Sequence, residues 1–173
     1  MRVITRSWQQ HYIPRKQTMK ITLNQIEMEL AALAGMGRMM SNKKSGVTSS
    51  SKRKLDPDVN GVGGEIAVCK YFNRYPDLTI GPHRRGYDLK VKGQRVDVKT
   101  TTYNPGYLQA QINKKIQDCD IYILVYAEIP HFEIMGGSRS SEFIQPYNIK
   151  NVGYGDKYTL ETSQLRTLEE LFV

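Results

Sequence analysis

The stretch from Tyr87 to Thr102 carries acidic and basic side chains at a spacing that could support chemistry. Its sequence, YDLKVKGQRVDVKTTT, alternates apolar and charged residues on both sides of Gly93. That alternation is typical of a β-hairpin with one apolar and one charged face. A two-residue loop of Lys92 and Gly93 would place Asp88 directly opposite Asp97.

Two directly opposed carboxylates need a compensating charge, because like charges at that spacing destabilise a sheet. A divalent cation between Asp88 and Asp97 would compensate, since Mg²⁺ prefers hard oxygen ligands. Lys99 emerges on the same face one step further along the strand. The plainer alternative is a solvated outer face of the hairpin, and a loop longer than two residues would move Asp88 away from Asp97.

The charge distribution favours a polyanionic partner. The 173-residue chain is predicted to form one domain, and its 39% apolar content is ordinary for a soluble protein. The net charge is +8, and residues 1–60 hold 11 Lys and Arg against 4 Asp and Glu, a surplus of +7. Such a basic segment suits nucleic-acid phosphates, the alternative being a simple soluble tail.

Several other classes of protein are disfavoured by the composition. Cys69 and Cys119 are 50 positions apart and are predicted to be reduced, buried residues of an intracellular protein. His83 and His131 have no neighbouring histidine or cysteine, so a zinc site is not expected. Without a long apolar run or a signal peptide, we expect a cytoplasmic protein with no membrane partner.

The first half of the chain predicts an extension, a helix and a linker. Residues 1–19 are interpreted as a basic N-terminal extension and residues 20–173 as the structured domain. A helix is predicted from Thr22 to Met40, with Thr22 as its N-cap and Gln25 completing a capping box. Residues 41–56 are rich in Ser, Lys and Arg and predict a flexible basic linker.

A second helix, capped by Asp58 or Asn60, carries Glu65 in its first turns. Gly63 and Gly64 each cost about 1 kcal/mol relative to alanine inside a helix. We therefore expect another backbone or a ligand to approach the helix closely there.

The second half predicts a strand on either side of a crossover helix. The expected elements are a short strand at Leu78–Ile80, the hairpin, a helix at Tyr107–Gln117, a buried strand at Ile121–Ile129, a strand at Phe132–Met135 and a C-terminal helix from Ser163. A strand, a helix and a strand in this order predict that the two strands are parallel.

The order of GGE on a helix, Asp88 on one strand and DVK followed by TTT on the next resembles the PD-(D/E)XK nuclease superfamily. The resemblance covers roughly residues 60–135. The segments LNQIEMELAALAGMGRMM and GVGGEIAV are also similar to uncharacterised phage-encoded members. Tyr87 departs from the pattern, since the superfamily's name expects proline there.

The resemblance implies a three-layer α/β/α, restriction-endonuclease-like fold with a mixed central β-sheet. It implies the catalytic residues Glu65, Asp88, Asp97 and Lys99. The two aspartates, Glu65 and the Val98 carbonyl would bind Mg²⁺, for which Mn²⁺ would substitute. Such an ion suits phosphodiester hydrolysis, because it stabilises charge on the oxygens and generates hydroxide near neutral pH.

The expected function is a metal-dependent deoxyribonuclease of phage or mobile-element origin, acting in recombination, repair, packaging or restriction. DNA is the expected partner, and a homodimer stays open. The expected phosphate contacts are Lys52, Arg53, Lys54, Arg84 and Arg85.

The alternative is a nucleic-acid-binding protein that keeps the fold without cleavage, in which Glu65 merely favours its helix N-terminus and Lys99 merely pairs with Asp97.

Overall fold

The computed structural model describes residues 18–44, 56–81, 86–153 and 155–173. The described strands are β1 (Met19–Thr22), β2 (Leu89–Val91), β3 (Gln94–Thr101), β4 (Tyr107–Gln111), β5 (Ile121–Glu128), β6 (His131–Arg139), β7 (Ile149–Asn151) and β8 (Asp156–Glu161). The described α-helices are α1 (Gln25–Lys44), α2 (Asp56–Tyr71), α3 (Ser140–Phe143) and α4 (Leu168–Leu171). Short 3₁₀ turns lie at Ile116–Asp118, Pro146–Asn148 and Thr162–Gln164.

The architecture is mixed α/β, built on a mixed five-stranded sheet in the order β1-β6-β5-β3-β2. Strands β3 and β5 are parallel, and the other neighbouring pairs in this sheet are antiparallel. A smaller antiparallel sheet has the order β4-β8-β7. One core lies between the large sheet and helices α1, α2 and α4, and a second lies between its other face and the small sheet with α3.

Strand β5 confirms the prediction of a strand buried on both faces. Ile121, Ile123 and Val125 enter the core on the helix side. Tyr122 and Leu124 alternate with them and enter the core beneath the small sheet. Because β5 lies between β3 and β6, its backbone is hydrogen-bonded on both sides, as expected for an apolar, β-branched run.

The helix predicted over Tyr107–Gln117 is wrong. Residues Tyr107–Gln111 form β4, which pairs with β8, and only Ile116–Asp118 is helical, as a 3₁₀ turn. Leu108 and Ala110 are buried, with Tyr107 exposed, which is a period of two. The helical spacing came from Ile112 and Ile116, whose side chains are exposed.

Other element boundaries also differ from the prediction. Leu78–Ile80 forms no strand, and Ile80 packs against Gly37 of α1. Strand β6 continues past Gly136-Gly137 to Arg139, because Gly136 has a φ of +121° and accommodates a register shift against β5. The last helix begins later than Ser163, after the Thr167 cap.

Helix α1 begins after a different cap from the one predicted. Asn24 and Glu27 form the capping box: the Glu27 amide donates to Asn24 Oδ1 at 2.9 Å, and the Asn24 amide donates to Glu27 Oε2 at 2.7 Å. Thr22 belongs instead to β1, a strand that the sequence did not predict and that includes Met19 of the predicted extension. Helix α1 also continues through Lys44 into the predicted linker, of which residues 45–55 lie outside the described ranges.

Cys69 and Cys119 are both buried free thiols, and burial raises the pKa of each to about 12. Across the described ranges, the helices all fall short of the length and apolarity that a membrane span requires.

Candidate active site

The hairpin has the predicted two-residue turn and register. Lys92 and Gly93 have φ values of +48° and +82°, which fit a type I′ turn. Leu89 pairs with Val96, and Val91 pairs with Gln94. Turn chemistry and apolar alternation therefore identified this local structure correctly.

Asp88 lies beside β3, just before β2 begins. Its backbone amide donates to the Val96 carbonyl at 2.8 Å. Its Oδ2 accepts a hydrogen bond from the Val98 amide at 2.7 Å. The Asp88 carboxylate is thus bound to the backbone of the Asp97-Val98-Lys99 segment.

The side chains of β3 divide between the two faces of the large sheet. Val96 and Val98 are buried in the core on the helix side. Asp97 and Lys99 alternate with them, and Lys99 Nζ lies 6.0 Å from the ring centroid of Tyr122, which belongs to the other core. Asp97 and Lys99 therefore share the face that the small sheet covers in part.

Asp97 is only 4% exposed and binds two lysines. Lys99 pairs with its Oδ1, and Lys114 Nζ donates to its Oδ2 at 3.1 Å. The two lysine side chains are 32% and 27% exposed, so solvent reaches both. Lys114 was not predicted, because the segment that contains it was interpreted as a helix.

Glu65 lies across β3 from this pair, on the helix side. Arg38 Nη1 donates to both of its carboxylate oxygens, at 2.9 and 2.8 Å, and the two side chains are 7% and 11% exposed. Arg38 Nη2 also donates to the Asp77 carbonyl at 2.6 Å. No local pattern predicts this pair, since 27 positions separate its two residues.

Gly63 and Gly64 do mark a close approach, but the groups that approach are side chains of the large sheet and not the backbone or ligand that was expected. A Cβ on Gly63 would lie 2.5 Å from Phe132 Cζ, and one on Gly64 would overlap Thr100 Oγ1. Glycine at these positions lets α2 lie against β3, which sets how near Glu65 comes to the hairpin.

The pKa of Asp88 is affected by charged groups on both sides of β3. Burial, together with the negative charges of Glu65 and Asp97, raises the pKa of Asp88 to about 7, against the opposing effects of the Lys99 charge and the Val98 hydrogen bond. For Lys99, burial lowers the pKa, but the Asp97 ion pair and the Asp88 charge outweigh burial and leave the pKa raised. Lys99 is therefore a cation at neutral pH.

The available donors suit Mg²⁺ held by few protein ligands. Within the described ranges, no three His, Cys, Asp or Glu residues cluster closely enough to enclose a metal ion. Mg²⁺ often binds through one or two carboxylates and otherwise keeps water or takes substrate phosphate. Asp88 and Asp97 would be the two carboxylates of such a site, and burial together with the charges of Glu65 and Asp97 disfavours the ionised form of Asp88 when no cation is bound.

The predicted phosphate contacts Lys52, Arg53, Lys54, Arg84 and Arg85 lie outside the described residues, as does His83. His131 is described, and its Nδ1 lies 3.0 Å from Thr22 Oγ1.

Comparisons of the chain with protein-family models, with curated proteins and with solved structures find no match.

Proposed function

We propose that this chain is a metal-dependent deoxyribonuclease of the PD-(D/E)XK type. One observation carries the proposal: the Asp88 carboxylate is hydrogen-bonded to the Val98 amide, between an aspartate and a lysine that form an ion pair. This contact supports the proposal because Asp88, just before β2, and Asp97 and Lys99 on β3 follow one another in the order that the superfamily motif would require.

The fold proposed for this function is the restriction-endonuclease-like core. In this chain, that core would consist of the β2–β3 hairpin, the parallel strands β3 and β5, and the helices α1 and α2 on one face of the sheet. The layer on the other face is a three-stranded sheet with the short helix α3, where the predicted α/β/α arrangement has a crossover helix.

In this proposal Asp88 and Asp97 hold Mg²⁺ or Mn²⁺, with Glu65 acting through water. When bound, the metal would stabilise charge on the phosphate oxygens and supply hydroxide near neutral pH. The Val98 carbonyl is a further proposed ligand. Its amide fixes the orientation of Asp88 through the 2.7 Å hydrogen bond.

Lys99 contributes positive charge where negative charge develops on the phosphate. Its raised pKa keeps it protonated, so it acts as a hydrogen-bond donor and not as a base. In the free protein Asp97 binds this ammonium group, and a phosphate oxygen would compete for the same donor.

The net charge supports DNA as the substrate. Residues 1–60 hold a surplus of +7 out of +8, which would attract a polyanion at low salt.

The test is cleavage of linear, circular, single-stranded and four-way-junction DNA, with Mg²⁺ or with EDTA. We expect metal-dependent cleavage that falls about 10³-fold in Asp97→Asn and about 10²- to 10³-fold in Lys99→Ala, with DNA affinity nearly unchanged. Lys150→Ala in β7 removes an exposed lysine far along the chain and is the matched control. Wild-type cleavage by Lys99→Ala would refute the proposal.

A second candidate is a DNA-binding protein without cleavage. It is favoured by the ion pairs of Glu65 with Arg38 and of Asp97 with two lysines, which balance these acids without a metal. Full DNA affinity without cleavage of any of the four substrates would establish this candidate instead.

A further inference from the structure

Helix α1 has an apolar stripe on its outer side. The stripe consists of five residues with large exposed fractions: Ile26 (68%), Leu30 (39%), Leu33 (67%), Met36 (45%) and Met40 (57%). Four of them, Ile26, Leu30, Leu33 and Met40, follow the helical spacing that predicted this helix. The helix instead buries its small residues Ala31 and Ala34, together with Arg38, against the rest of the domain.

Nearby apolar surface enlarges the stripe. Ile80 packs on Gly37, which lies within the stripe, and Ile80 is itself 55% exposed. Contiguous exposed apolar surface of this kind marks an interaction site, whereas single exposed apolar residues do not.

The spacing of the stripe is the same in both directions. Counting outward from Leu33, the other residues of the stripe lie at three and seven positions on each side. An antiparallel pair of α1 helices related by a two-fold axis at Leu33 would therefore place Leu33 against its own copy. The same axis would place Ile26 opposite Met40 and Leu30 opposite Met36, which is the self-complementarity that a two-fold interface requires.

The exposed charges along α1 favour the same arrangement. Glu29 lies in the N-terminal half, and Lys44 lies at the C-terminal end. An antiparallel pair brings each acidic half beside a basic end, and it also opposes the two helix dipoles favourably. A parallel pair would bring like charges together.

We propose that the outer face of α1 binds a second copy of this chain, antiparallel, about a two-fold axis at Leu33. Such a dimer would form whether or not the chain has the proposed nuclease activity. Arg38, which contacts Glu65, points to the buried side of α1, so changes to the stripe leave the candidate site in place.

The first experiment uses opposite charges at the axis. Sedimentation of the full chain without DNA should give a mass near twice 19.8 kDa at about 10 µM. Leu33→Lys and Leu33→Glu should each raise the dimer dissociation constant about 30-fold or more, because each variant places like charges against each other at the centre of the interface. An equimolar mixture of the two should recover the dimer.

The control for Leu33→Glu is Tyr75→Glu, which also adds a negative charge. Tyr75 lies outside α1 and is 99% exposed, so this variant should leave the mass unchanged. Circular dichroism would show that each variant is folded. A wild-type chain that sediments as a monomer would overturn the proposal. A monomer whose stripe is occupied by residues 1–17 would count as the same outcome. A mixture that stays monomeric would do the same.

Cysteine cross-linking tests the direction of the pair, and the buried Cys69 and Cys119 should not interfere. Leu33→Cys should form a disulfide dimer alone, whereas Ile26→Cys should require mixing with Met40→Cys. Cross-linking of Ile26→Cys with itself would indicate a parallel pair and would overturn the antiparallel arrangement.

Discussion

Two clusters of ion pairs lie on opposite sides of β3, and they differ in how accessible their cations are. On the helix side, the side chains of Arg38 and Glu65 are 7% and 11% exposed. On the other side, Asp97 is buried to a similar degree, but Lys99 and Lys114 are 32% and 27% exposed. A ligand can therefore reach the cations of the second cluster and not the cation of the first.

This difference favours a structural role for Arg38 and, under the proposed function, a phosphate-binding role for Lys99 and Lys114. The Arg38 guanidinium is too deeply buried for a ligand to reach, although its Nε has no hydrogen-bond partner among the described residues, and removing it takes away the ion pair of a buried carboxylate. Lysines held by one carboxylate and open to solvent can exchange that carboxylate for a phosphate. Glu65 thus has a partner that fixes it in place, whereas Asp97 holds two cations that a substrate could use.

The largest expected effect is a loss of stability when the buried ion pair of Arg38 and Glu65 is broken. Arg38→Ala should lower the free energy of unfolding by about 3–5 kcal/mol, because it leaves Glu65 buried without its arginine. Urea denaturation measures the change. Lys70→Ala, which breaks the more exposed pair with Glu27, is the matched control and should cost at most about 1 kcal/mol. Equal losses in the two variants would contradict the distinction.

The next effect is a change in pH dependence. Because the pKa of Asp88 is raised to about 7, the folded state binds a proton that the unfolded state releases near pH 4. Stability should therefore fall as pH rises from about 4 to 7. Asp88→Asn should remove that decline and stabilise the metal-free protein at pH 8 by on the order of 2 kcal/mol.

Thermal unfolding at pH 5 and pH 8 measures this difference. Added Mg²⁺ should raise the unfolding temperature of the wild type more at pH 8 than at pH 5, since the Asp88 carboxyl must be deprotonated to bind the metal. An unchanged pH profile in Asp88→Asn would show that Asp88 is not the titrating group.

The smallest expected effect concerns Lys114, the second lysine that binds Asp97. If the proposed nuclease activity holds, Lys114→Ala should slow cleavage about tenfold, less than Lys99→Ala, because Lys114 adds charge from outside the motif. Single-turnover rates at saturating Mg²⁺ measure the difference. Lys115→Ala removes the neighbouring lysine of the same turn and should leave the rate unchanged; an equal loss there would indicate a general charge effect.

Local chemistry explains what the sequence could predict. The hairpin follows from the alternation around Lys92-Gly93, the buried strand β5 from its β-branched run, and the close approach of α2 from Gly63-Gly64. Each signal lies within a few residues of the feature it predicts.

The features that the sequence could not predict depend on distant partners. Strand β4 pairs with β8, about fifty positions away, and this pairing overrode the helical spacing of Ile112 and Ile116. Arg38 meets Glu65 across 27 positions. The exposure of the apolar stripe of α1 could not be predicted, because periodicity identifies an apolar stripe without identifying what covers it.

The outer strands of the large sheet bear on how the protein behaves when concentrated. β1 has four residues and β2 has three, and each carries an exposed lysine, Lys20 in β1 and Lys90 in β2. Short edges with a charged side chain are poor templates for adding another strand. These two edges are therefore poor starting points for growth of the large sheet into fibrils.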